Sequence, residues 1–79
     1  MFEVEKETLD LINELRISTE DLLQDVNFLY KCYSNEEFQQ DNMKLFMERM
    51  SGGKDNIVQN IVDRKDEIIR FINKLKRLL

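Results

Sequence analysis

The sequence predicts an all-α protein, a small antiparallel helical bundle, on three observations. Proline is absent and glycine occurs only at Gly52 and Gly53, so nothing interrupts a helix over most of the chain. Apolar residues recur at alternating spacings of three and four in two long segments, the rhythm of helices that each bury one stripe. The clearest helix-start and helix-stop residues fall between those segments.

The first segment carries Thr8, Ile12, Leu15, Thr19, Leu22, Val26, Leu29 and Tyr33 in heptad register. Leu9, Leu23 and Tyr30 widen this seam on one side and Leu11 on the other, which suits a bundle better than a narrow two-stranded coil. Glu7, Asp10, Glu14 and Asp21 lie on the opposite face. A helix from about Glu5 to Cys32 follows, roughly 40 Å long at about 1.5 Å per residue. Ile17-Ser18-Thr19-Glu20 has the look of a second start signal, but the heptad runs through it, so the helix is expected to continue.

Ser34 is placed to cap a second helix, with Glu37 returning the bond as a capping box and Tyr33 and Phe38 at the staple positions. So short a connection favours antiparallel neighbours. The second helix, about 35–50, holds Phe38, Met43, Leu45, Phe46, Met47 and Met50, and Gly52-Gly53 stops it by taking the left-handed conformation. A third helix, about 55–78, shows a heptad series at 58, 61, 65, 68, 72, 75 and 79, with Lys65 as the one polar intruder. If Gly52-Gly53 is a turn, residues 1–79 form a single three-helix domain. If it is only a kink, they form a hairpin with an overhanging second arm.

Composition restricts the function. A chain of 79 residues buries only about 60% of its unfolded surface, and such chains usually add disulfides, a metal or a partner. Cys32 is the single cysteine and histidine is absent, so neither an internal disulfide nor the usual zinc spacings are available. Association with another chain is the supplement that remains. Catalytic arrangements built on a histidine base fail on residue type. Gly52-Gly53-Lys54-Asp55 lacks the upstream glycine and the Ser or Thr of a phosphate loop. No cofactor, metal or catalytic residue is expected, and the chain is not expected to be an enzyme. With a lone thiol, no apolar run of membrane-spanning length and no signal-peptide pattern, a cytoplasmic protein is expected.

Charge divides along the chain. Residues 1–41 hold eleven acids and three bases, residues 42–79 five acids and nine bases, and the sum is −4. Complementary halves folding together explain this, as does a charged face that meets a partner. Three surfaces are candidates for binding. Ile17 and Phe28, with Asp21 and Gln24 between them, form an exposed apolar pair among acids. Met43, Phe46, Met47 and Met50 form an adaptable cluster. Arg64, Arg70, Lys74, Lys76 and Arg77 form a basic face, which suits the helix dipole better than a membrane or nucleic acid in so acidic a chain.

The expected function is a non-enzymatic protein–protein interaction module, a helical adaptor or regulator that self-associates or binds a helical partner. An alternative is an acidic inhibitor of the phage-antagonist kind, mimicking a nucleic-acid backbone through Asp10, Glu14, Asp21 and Asp25. Tyr33-Ser34-Asn35, followed by Phe38, resembles the Trp-x-Gly turn of the WXG-type secreted hairpins, with Tyr33 in place of Trp and Asn35 in place of Gly. That resemblance implies a helical hairpin that partners a type VII secretion effector.

Overall fold

The computed structural model describes residues 5–53 and 56–79. Among the described residues there are four helices, α1 (Lys6–Ser34), α2 (Glu36–Asp41), α3 (Met43–Met50) and α4 (Ile57–Leu78). The all-α expectation is met. The first helix runs unbroken past Ser18, where the Thr19 hydroxyl donates to the Leu15 carbonyl at 2.7 Å without interrupting it. It continues two residues beyond the predicted end at Cys32.

The first connection differs from the predicted capping box. Ser34 is the last helical residue of α1, and Asn35 is the cap of α2, its side chain accepting from the Phe38 N–H at 3.0 Å. Asn35 leaves the helix in an extended conformation (φ −138°, ψ 103°), and a side-chain amide oxygen serves as a cap as well as a serine hydroxyl. The expected Tyr33–Phe38 staple is replaced by two edge-to-face pairs. Phe28 meets Phe38 with centroids 6.1 Å apart, and Tyr33 meets Phe46 at 5.8 Å.

The predicted second helix is divided at Asn42, whose side-chain amide donates back to the Phe38 carbonyl at 2.9 Å. That bond draws on the carbonyl at the end of α2 and lets the chain change direction before α3. At the other end of α3 the glycines do not take the left-handed conformation expected of them, since neither has a positive φ. Ser51 stops α3 instead, in an extended conformation with its hydroxyl donating to the Glu48 carbonyl. Residues 51–53 then bend, and Asn56 caps α4 by accepting from the Gln59 N–H at 2.9 Å. Residues 51–53 are thus outside any helix, a break between α3 and α4 and not a kink within one helix. The predicted helix start at Asp55 lies outside the described residues.

The long helices α1 and α4 make the principal packing, and they run antiparallel. Glu7 and Glu14 near the start of α1 share a groove with Lys74 and Arg77 near the end of α4. Asp21 meets Arg64 further along. The short α2 and α3 cap one end of this hairpin. The result is a slab of 50 × 27 × 15 Å, little thicker than one helix at about 10–12 Å. Its radius of gyration is 16.5 Å, against about 12 Å for a compact chain of this length.

Half of the predicted seam on α1 holds, at Thr8, Leu15, Leu22 and Leu29, and the alternate positions are shifted by one residue, to Leu11, Ser18, Asp25 and Cys32. The buried residues of α1 are Thr8, Ser18 and Cys32, with Leu11, Leu15, Leu22 and Leu29 half-buried on the same stripe. Ile12, Thr19, Val26 and Tyr33 of the predicted series are exposed. Small side chains at Thr8, Ser18 and Cys32 are the fully buried ones on this stripe, and the leucines between them are half-buried. On α4 the inward stripe is Ile57, Ile61, Arg64, Ile68, Phe71 and Leu75, and Lys65 projects to solvent as expected.

Candidate functional site

Each long helix carries a second heptad stripe one residue after the inward one. On α1 it reads Leu9, Ile12, Arg16, Thr19, Leu23, Val26, Tyr30 and Tyr33, and on α4 it reads Val58, Val62, Lys65, Ile69, Ile72, Lys76 and Leu79. One residue is a rotation of about 100° around a helix axis. Because the helices are antiparallel, equal rotations on the two turn toward the same side of the hairpin. The two stripes therefore form one surface.

That surface is apolar and bare. Leu9 and Leu23 are each 56% exposed, Tyr30 72%, Val58 50% and Ile69 48%. Exposed apolar residues scattered singly are ordinary, but two adjoining heptad stripes make a contiguous patch, which marks an interaction site. A polar belt crosses its middle. Arg16 donates to Glu20 and Asn13, both at 2.9 Å, and Lys65 lies 3.4 Å from Asp66. Arg16 and Lys65 are thus each already held by an acid beside this surface.

The opposite side of the hairpin is charged. One groove sets Glu7, Asp10 and Glu14 against Lys74 and Arg77 over a floor of Leu11 and Leu78. A second sets Asp21 and Asp25 against Arg64, Arg49 and Asn60. Arg49 donates to Asp25 at 2.8 Å, with both side chains largely buried, and its Nε has no partner. The Arg64–Asp21 contact is longer, 3.7 Å, and more exposed, and such pairs contribute about 0–1 kcal/mol. The complementary halves read from the sequence meet along this side.

The residues singled out from sequence do not gather in one place. Ile17 is exposed, but it shares the outer flank of α1 with Asp10 and Gln24, away from the apolar surface. Phe28 is half-buried against Phe38 and is therefore no open anchor, while Asp21 faces Arg64. Phe46 is engaged by Tyr33, and Met50 is half-buried. Met43 and Met47 remain exposed on α3. The apolar surface joins Leu9, Leu23 and Tyr30, which the sequence shows as extra width of the first seam, to Ile12, Thr19, Val26 and Tyr33, which it places inside that seam.

Cys32 is 2% exposed, and burial pushes its thiol above the usual range. Among the described residues no three His, Cys, Asp or Glu side chains gather as a metal site requires, and no helix is long and apolar enough to cross a membrane. No family model, curated protein or solved structure matches the chain.

Proposed function

We propose that this chain is a non-enzymatic, cytoplasmic interaction module that presents the apolar side of its α1–α4 hairpin to another protein, most naturally a helical one. The carrying observation is the pair of exposed heptad stripes on one side of a slab scarcely more than one helix thick. Heptad stripes pack against helices, and among the described residues this surface is met by a helix of its own chain only at its Tyr33 end, by Phe46 of α3. The charged side supports the reading by contrast, because its acids already face Arg49, Arg64, Lys74 and Arg77.

The test compares two double variants in a pull-down, with helicity followed by circular dichroism. Leu23→Glu with Val62→Glu charges the apolar side, and Asp10→Lys with Glu14→Lys reverses part of the charged side. An interaction module of this kind loses its association in the first variant and keeps it in the second. The opposite pattern, with both variants helical, contradicts it and moves the function to the acidic groove.

A further inference from the structure

We draw no further inference here: the strongest candidate, the apolar patch formed by the exposed stripes of α1 and α4, belongs to the site already described, and nothing in the structure shows what covers it.

Discussion

Arg49 of α3 reaches back across 24 residues to donate to Asp25 of α1 at 2.8 Å, and both side chains are largely withdrawn from water. This pair and the Tyr33–Phe46 contact tie the α2–α3 segment to the hairpin. Removing Asp25 leaves a guanidinium that already has an unpartnered Nε without its anion. Asp25→Ala therefore costs about 1–3 kcal/mol in urea unfolding. Asp25→Leu combined with Arg49→Met is milder than either single change, because removing both charges leaves neither one stranded. A double change as costly as the sum of the singles contradicts this.

The capping assignment separates two adjacent residues. Asn35→Ala removes the acceptor for the Phe38 N–H and lowers stability by about 1 kcal/mol, whereas Ser34→Ala stays within about 0.5 kcal/mol. Thermal unfolding of the two variants decides between Asn35 and the capping box read from sequence.

Burial of Cys32 gives the protein an alkaline slope. Below the unfolded thiol's pKa of about 8.5 both states keep the proton and the thiol adds no pH dependence. Above it the unfolded chain ionises first, because the folded thiol is raised. Stability therefore falls as pH rises from there toward the folded pKa. Denaturation curves at pH 7 to 10 show this decline in the wild type and less of it in Cys32→Ala, and native alkylation of the thiol is slow.

Ile57 and Val58 test the boundary between seam and surface. Ile57 is 0% exposed and Val58 is 50% exposed. Ile57→Ala costs about 2–5 kcal/mol by opening a cavity. Val58→Ala has little effect on the monomer's unfolding and acts instead on association.

Much of this fold was legible in the sequence because helices announce themselves locally. Heptad spacing located α1 and α4, and Ser34 and Gly52-Gly53 marked the breaks around them within a few residues, although Asn35, Ser51 and Asn56 are the residues that make those ends. What was not legible is rotation about the helix axis. The apolar stripe of α1 is wider than α4 can cover, so any stripe within it could face inward by hydrophobicity alone. The choice fell on Thr8, Ser18 and Cys32, and this follows from the shape of both helices together. Ile17 is exposed as read, whereas Phe28 was misplaced for a related reason. Phe28 looked outward from α1, but Phe38 of α2 lies over it. The division of the second helix rests on one side-chain bond from Asn42, which helix periodicity does not signal.

The most direct measurement compares the urea midpoints of Ser18→Leu and Thr19→Leu. Ser18 is 4% exposed in the α1–α4 seam, and its neighbour Thr19 lies on the bare apolar side. Ser18→Leu overpacks the seam and costs about 1–3 kcal/mol. Thr19→Leu leaves the midpoint unchanged or raises it, and increases self-association. A Thr19→Leu chain that unfolds earlier while Ser18→Leu is tolerated would place the predicted stripe of Ile12, Thr19, Val26 and Tyr33 inside, and would contradict the two-sided hairpin on which the proposed interaction depends.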